Sequence, residues 1–354
     1  MKQVTFSIVG CGRIGMRHAE HISRLGQLVA ACDIDERALQ AFSLKFPGIR
    51  LYSSVQEMLL RETGTQVMDI CTPNGLHAEH TVLALKNGYH VVCEKPMALR
   101  VSDAEWMIQE ARKAKRHLFI VKQNRFNPPV AKVKEIIESG RLGKIYSAQV
   151  NCFWNRNDQY YKESPWKGSR ELDGGILFTQ FSHFIDLMYW FLGDVEKVAA
   201  YSKNYNHLDT IEFEDTVVAL LEFKSGALAT LNCTVNSYRK NMEGSITIFA
   251  ENGTVKIGGQ YLNVLEYQNI QDYVIKDIES YRPANDYGYY QGSMSNHDKV
   301  IENVIDVLTN NGRIATTGEE GLKSVEIIEK IYSQINPHRS SYSEREMREN
   351  VQIY

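Results

Sequence analysis

Short apolar runs recur along the first 122 residues: Val4-Thr5-Phe6-Ser7-Ile8-Val9, Leu28 to Cys32, Val67 to Cys71, His90 to Cys93 and Leu118 to Val121. Stretches with helical periodicity lie between them, for example Arg13 to Leu25 and His77 to Asn87, with Gly26 and Gly88 placed where helix C-caps fall. Strands that are apolar at nearly every position, alternating with helices, predict a parallel sheet covered on both faces.

From residue 123 the pattern changes. Asn127-Pro128-Pro129 breaks the chain, and a basic amphipathic helix is predicted from Val130 to Glu138. Longer strand-like runs follow at Ile145 to Trp154, Val195 to Tyr205, Thr216 to Phe223, Ala227 to Val235, Ser245 to Ala250 and Thr254 to Ile257. Gly226, Gly244 and Asn252-Gly253 mark turns between several of them. Consecutive strands without intervening helices predict a mainly antiparallel sheet. Helices are expected at Phe178 to Trp190, Asn296 to Thr309 and Glu319 to Gln334. The chain thus reads as two α/β units, residues 1–122 and 123–354, with no internal repeat.

Charge and cysteine content narrow the class. The 354 residues carry 40 basic and 43 acidic side chains, a net charge of −3, so neither nucleic acid nor an anionic membrane is expected as a partner. No apolar run approaches the roughly 18–20 residues that span a bilayer. The N-terminus leads straight into a strand, with no room for a signal peptide, and a cytoplasmic location is expected. Cys11, Cys32, Cys71, Cys93, Cys152 and Cys233 form no CxxC pair. They read as small buried thiols rather than a zinc site, and no metal is assigned.

Gly10-Cys11-Gly12-Arg13-Ile14-Gly15 is a GxGxxG that follows a strand and opens a helix, the context a dinucleotide fingerprint requires. The first glycine permits the tight turn, the second lets a pyrophosphate approach the backbone, and the third lets helix and strand pack closely. Helix N-terminal amides then hold the phosphates. Asp33 follows the second strand, 18 residues past Gly15. Its carboxylate can accept from both adenosine ribose hydroxyls and would repel a 2′-phosphate, which selects NAD over NADP; Arg37 is the nearby cation that pulls the other way. Thr72-Pro73-Asn74, with His77 behind, and Glu94-Lys95-Pro96 fall at C-terminal strand ends, where ligands of open α/β sheets bind. With Gln123 they complete the expected cofactor set.

Gly10 to Gly15, Glu94-Lys95-Pro96, Asn124-Arg125-Phe126-Asn127-Pro128 and His183-Phe184-Ile185-Asp186 resemble the Gfo/Idh/MocA oxidoreductase family over essentially the whole chain. The resemblance implies a Rossmann domain followed by an α/β domain with a large open sheet, sugar or polyol substrates, bound NAD, and dimers or tetramers assembled through that sheet. It places the family's lysine at Lys95, bonding the reacting hydroxyl, and its catalytic histidine at His183. Asp186 lies three residues on and on the same helical face, so it can orient or charge the imidazole. Inositol dehydrogenase-like members carry an Asp four residues before the histidine; this chain has Thr179, so a third acid–base group is expected to be absent.

The segments Asn151 to Trp154, Tyr160-Tyr161, Ser164 to Gly168, Glu171 to Gly175, Gln180 to His183, Asn241 to Ile248 and Gly253 to Gly259 resemble the bacterial nucleotide-sugar 3-dehydrogenases of the WlbA/WbpB type. These oxidise C3 of UDP-N-acetylglucosaminuronic acid, or of UDP-N-acetylglucosamine, in surface-polysaccharide (lipopolysaccharide) sugar biosynthesis. The expected substrate set is Lys95, Arg125, Asn127, Trp154, Arg156, Tyr161, Trp166, Lys167, Thr179, Gln180 and His183. Aromatics in it could stack on sugar or uracil, and the cations, with Lys162 and Arg170, could meet diphosphate and carboxylate. Two alternatives stay open: a dehydrogenase of a free sugar or inositol, and a non-catalytic NAD-binding regulator. Whether a 2-oxoacid such as 2-oxoglutarate reoxidises retained NADH is also open. A homo-oligomer, with the tetramer as the family's suggestion, is expected because the second sheet leaves one broad face uncovered.

Overall fold

In the computed structural model, which describes residues 3–278, 284–286, 288 and 291–335, strand and helix alternate at first. The order is β1 (Thr5–Val9), α1 (Arg13–Leu25), β2 (Gln27–Cys32), α2 (Glu36–Lys45), β3 (Arg50–Tyr52), α3 (Val55–Arg61), β4 (Val67–Ile70), α4 (His77–Lys86), β5 (His90–Cys93), α5 (Val101–Ala114) and β6 (Leu118–Ile120). All six strands pair in parallel in the order β3-β2-β1-β4-β5-β6. The order reverses between β1 and β4, and ligands of such sheets sit beyond the strand C-termini at that switch. β4 and β6 are buried at every position, which is why they read as continuous apolar runs. β3 has only three residues, two of them exposed, and carries no such signal.

The second unit opens with α6 (Pro128–Glu138), then β7 (Ile145–Phe153), α7 (Asp158–Lys162), α8 (Ile176–Thr179), α9 (Ser182–Leu192), β8 (Val195–Lys203), β9 (Thr216–Phe223), β10 (Leu228–Thr234), β11 (Glu243–Ala250), β12 (Gly253–Gly258) and β13 (Val264–Ile270). A short pair follows, β14 (Ala284–Asp286) with β15 (Gln291–Met294), then α10 (His297–Asn310) and α11 (Gly318–Ile335). The seven-stranded sheet runs β13-β12-β11-β7-β10-β9-β8. Every pairing is antiparallel except β7 with β10, so the sheet is mixed and mostly antiparallel. Its strands alternate buried and open positions, as β9 does, because α9 and α11 cover one face only.

Two details differ from the sequence reading. The helix expected from Phe178 to Trp190 breaks at Gln180-Phe181 into α8 and α9. A continuous helix would give the Thr179 carbonyl to the His183 amide; here it accepts from Lys95 Nζ at 2.9 Å instead. The second is α10, which returns to the first unit: Val300, Ile301, Val304 and Val307 pack in one core with Phe6, Ile8, Ile22 and Val92.

Candidate active site

At the β1–α1 turn Gly10 has φ +100°, and a Cβ there would collide with the Cys71 carbonyl. A Cβ on Gly15 would collide with the Gly10 carbonyl, so α1 lies against β1 as closely as backbone allows. Above Gly12, where a Cβ would meet nothing within 4 Å, the space is open, and Gly12 caps α1 without a side-chain bond to its amides. An open helix N-terminus of this kind fits a pyrophosphate. At the end of β2, Asp33 is fixed by two backbone donors, the Cys11 amide at 2.7 Å and the Asp35 amide at 2.9 Å. That leaves the carboxylate beside the glycine turn, where a dinucleotide presents its ribose. Arg13, the first residue of α1, pairs with Glu163 at 3.1 Å, and Arg37 is exposed. These residues fit NAD.

The loops after β4 and β5 approach the second unit. His77 bridges the carbonyls of Pro96 and Thr72, at 2.6 and 2.8 Å, and so ties the two loops together. Asn74 Nδ2 donates to the Asp173 carbonyl at 2.8 Å and to Thr179 Oγ1 at 2.7 Å, and the Gly75 amide donates to the Leu172 carbonyl. The Lys95–Pro96 bond is cis. Lys95 is half-buried, and burial pulls its ammonium below the ordinary lysine range against the charges of Glu94 and Asp173. Glu94 faces the other way: His18 lies between Asp69 (2.7 Å) and Glu94 (3.0 Å), with His297 of α10 at 3.6 Å from the same Glu94 oxygen.

His183 stands near the start of α9, with Nε2 3.4 Å from the Gln123 amide nitrogen. Burial holds its imidazole well below the usual histidine range, and the nearby Lys95 and Lys122 push the same way, so the ring is neutral and able to accept a proton. Its Nδ1, with Gln180 Oε1, Ser182 Oγ and Tyr161 Oη, is buried without a hydrogen-bond partner among the described residues. Asp186 does not serve the imidazole. Its two oxygens accept from Arg125 Nε and Nη2, both at 2.9 Å, and Lys122 Nζ is 3.6 Å away.

Arg125 is therefore occupied. It also donates to Glu320 at 2.8 Å and stacks on Trp190, so the expectation that it meets substrate is replaced by a buried structural pair. Asn127 is likewise used up, donating to the Tyr261 and Leu262 carbonyls and accepting from Asn296. Trp154 packs among Phe181, Phe184 and Tyr261 and donates to the Gln260 carbonyl at 3.2 Å, which makes it a core aromatic. Arg156 is buried over the rings of Trp154 and Tyr160 and donates to the Asn155 carbonyl and to Asn241.

Other expected residues stay at the site. Lys167 Nζ lies 3.7 Å from the Tyr160 ring centroid, and Gln180 Nε2 donates to Tyr160 Oη at 3.2 Å. Trp166 is half-buried beside Lys167, and Tyr161 packs edge-on against Tyr160. Asp173, which the sequence reading held only within Glu171 to Gly175 and gave no site role, is fully buried: Thr179 Oγ1 and the Gly168 amide donate to its carboxylate. Thr179, which stands where inositol dehydrogenase-like members carry an acid, thus donates its hydroxyl to a buried acid six residues before it. The cue available in sequence was an acid directly before Gly174-Gly175, a pair that takes positive φ (86° and 119°) and turns the carboxyl inward.

Comparison with known proteins bears on this arrangement. Residues 4–122 match the oxidoreductase family's NAD-binding Rossmann fold, and residues 130–256 match the GFO/IDH/MocA C-terminal domain. The WlbA dehydrogenase from Bordetella pertussis, solved in complex with NADH and UDP-GlcNAcA, is 36% identical, with a TM-score of 0.85 over 95% of this chain and 97% of that one. The chain belongs to the Gfo/Idh/MocA oxidoreductase family. Members similar in sequence include the myo-inositol 2-dehydrogenase of Thermotoga maritima, 29% identical over 70% of this chain and 73% of that protein. The 1-carboxy-3-chloro-3,4-dihydroxycyclohexa-1,5-diene dehydrogenase of Comamonas testosteroni is 32% identical over 61% of this chain, a match spanning about half (53%) of that relative's length. The Gfo/Idh/MocA chain described here is accordingly an NAD-dependent dehydrogenase acting on CH–OH groups, within a family of sugar and polyol dehydrogenases. Among its described residues no helix is long and apolar enough to cross a membrane.

Proposed function

We propose that this enzyme oxidises the C3 hydroxyl of a UDP-N-acetyl-hexosamine, with UDP-N-acetylglucosaminuronic acid as the preferred form, in the making of a bacterial surface polysaccharide. The observation that carries the reading is the juxtaposition of Lys95 and a neutral, buried His183 with the half-buried Lys167, near which the positive charges of Arg13 and Arg156 are partly offset by Asp173 and Glu163. Burial lowers Lys167 to about 8, and Arg13 and Arg156 add to the effect. Cations crowded this closely favour an anionic ligand, and a UDP-uronic acid brings diphosphate and carboxylate together. A structural relative of 36% identity holds UDP-GlcNAcA, which supports the same reading.

Bound NAD supplies the hydride acceptor. His183 accepts the hydroxyl proton at Nε2, while Lys95 donates a hydrogen bond to the same oxygen and stabilises the developing negative charge. The carbinol C–H and O–H bonds break and a C=O bond forms, so the products are ketone, NADH and a protonated imidazole. Gln180 and Tyr161, each with a buried oxygen that has no hydrogen-bond partner among the described residues, hold the sugar, and Trp166 supplies a stacking face. Gly10, Gly12, Arg13, Ile14, Gly15, Asp33, Thr72, Pro73, Asn74 and Gln123 hold the cofactor, while His77 and Glu94 serve it from behind by fixing the loops after β4 and β5.

We further propose a division at residues 122/123, a cytoplasmic location supported by six buried free thiols, and a homo-oligomer, most simply a tetramer. Incubating the purified protein with NAD and a panel of UDP-sugars, inositols and free hexoses tests the substrate claim by NADH absorbance. Turnover of the UDP-uronic acid above the rest is expected. Turnover of inositol or a free hexose alone, the reading that several sequence relatives favour, would overturn it and leave the dehydrogenase intact.

A further inference from the structure

Asp173 is a fully buried carboxylate that accepts a hydrogen bond from Thr179, the residue whose carbonyl anchors Lys95. Lys95 Nζ donates to the Thr179 carbonyl at 2.9 Å, and the Thr179 hydroxyl donates to Asp173. Asn74 Nδ2 donates to both the Thr179 hydroxyl and the Asp173 carbonyl, so one threonine and one asparagine join the β4 loop, the lysine and the acid. The Gly168 amide completes the carboxylate's shell at 2.9 Å, with the Gly175 amide beside it. Resting on Lys95 and His183 being the reacting groups, we propose that Asp173 is the third ionisable group of the site. It is a positioning residue whose charge keeps Lys95 protonated and whose bond to Thr179 fixes the carbonyl that Lys95 is held by.

The neighbourhood is largely cationic. Lys95 and Lys167 face the carboxyl together with the Tyr161 hydroxyl; Arg156 lies by all three of these, Arg13 and Glu163 lie beyond Lys167, and Glu214 with Tyr332 lie beyond Gly175. Burial nevertheless lifts Asp173 to about 6, so its charge changes inside the physiological range, while the Thr179 bond pulls the other way. Protonation of the carboxyl weakens the bond it accepts from the Thr179 hydroxyl and so loosens the carbonyl that holds Lys95, whereas at alkaline pH the intact charge supports the Lys95 ammonium.

The pH profile of kcat/KM separates this role from a purely structural one, and it can be recorded with whichever alcohol the enzyme oxidises. The wild-type acid limb is expected near pH 6. In Asp173→Asn, which keeps the shape and the Gly168 bond, that limb should disappear toward the lower value of His183. The alkaline limb should move down by about one pH unit as Lys95 loses its neighbour. Thr179→Val should move the acid limb up instead, because the hydroxyl that stabilises the carboxylate is gone, and Thr179→Ser should restore it. These two variants also serve if Asp173→Asn does not fold. Limbs unchanged in Asp173→Asn or Thr179→Val, with only the height reduced, would overturn the proposal. No NADH from any alcohol with wild-type protein would instead overturn the assignment of Lys95 and His183.

Discussion

Lys95 Nζ and the carbonyl oxygen of Thr179 meet at 2.9 Å across 84 residues of sequence. The bond exists because α8 ends at Thr179 and α9 begins afresh at Ser182, so the helix surrenders an acceptor to the lysine. It sets the cation of the parallel-sheet unit beside the histidine of the mixed-sheet unit, and neither unit alone contains the pair.

Replacing either member should therefore cost chemistry more than binding. Lys95→Ala and His183→Ala are each expected to lower turnover by about 10²-fold or more, the usual scale for a positioned proton-transfer group. NAD affinity, read by fluorescence titration of NADH, should change far less. Near-normal turnover in His183→Ala would remove the imidazole from the mechanism.

Arg125 should act on stability. Its bidentate bond to Asp186 is buried, and removing one partner strands a charge. Arg125→Met is expected to destabilise the fold by about 3–5 kcal/mol in urea unfolding, with Asp186→Leu in the same chain recovering much of the loss. A variant of wild-type stability that had lost only substrate affinity would return Arg125 to the substrate set.

Much of this was legible before any coordinates. The parallel sheet shows in the sequence because strands covered on both faces have no polar register to hide in, and the glycine turn shows because only glycine clears the Cys71 and Gly10 carbonyls. Lys95 and His183 stood out through a family pattern rather than through periodicity. What stayed hidden was decided at long range. Nothing local to Arg125 reveals that Asp186 and Glu320 fill its guanidinium, 61 and 195 residues away. Every residue from Phe178 to Trp190 suits a helix, and the carbonyl freed at the break finds its donor, Lys95, on another unit. Asp173 reads as one more loop acid until Thr179 and Gly168 close around it.

His18 gives a pH-dependent stability with a definite sign. Burial opposes its charge, but Asp69 at 2.7 Å outweighs it and holds the ring well above the ordinary histidine value. A folded-state value raised above the unfolded one, about 6.5, means stabilisation that is complete below about pH 6.5 and fades as pH rises through the folded value. The difference in unfolding free energy between wild type and His18→Gln, measured from pH 5 to 9, should be largest at the acid end. A difference that grew with pH would mean that the folded ring is neutral.

The open face of the mixed sheet should be covered by another copy. Tyr201, Val218, Leu220 and Leu228 stand exposed on it in the neighbouring strands β8, β9 and β10, an apolar patch that a monomer rarely leaves to water. Light scattering is expected to give a multiple of the 40.5 kDa chain mass at micromolar concentration, and Leu220→Asp to lower it. A wild-type mass equal to one chain would sink the prediction.

Lys167 is the residue on which the substrate claim turns. Its ammonium sits over Tyr160 at 3.7 Å, half-buried at the site, whereas Arg156 is committed to the Asn155 carbonyl and Asn241 from a buried position. A charge-assisted bond from Lys167 to a substrate anion contributes about 1.5–3 kcal/mol, or roughly 10- to 150-fold in affinity. Lys167→Met should therefore raise KM by about that factor with kcat changed only a few-fold. An effect confined to UDP-N-acetylglucosaminuronic acid would place Lys167 at the carboxylate; an equal effect with UDP-N-acetylglucosamine would place it at the diphosphate. Because burial lowers Lys167 to about 8, wild-type KM should climb as pH passes 8 and the cation is lost, and that climb should be absent in Lys167→Met. Arg156→Met, by contrast, should lower the melting temperature before it discriminates between the two sugars. A Lys167→Met enzyme with unchanged KM for both would show that Lys167 meets no substrate anion and remove the main physical support for a nucleotide-sugar substrate.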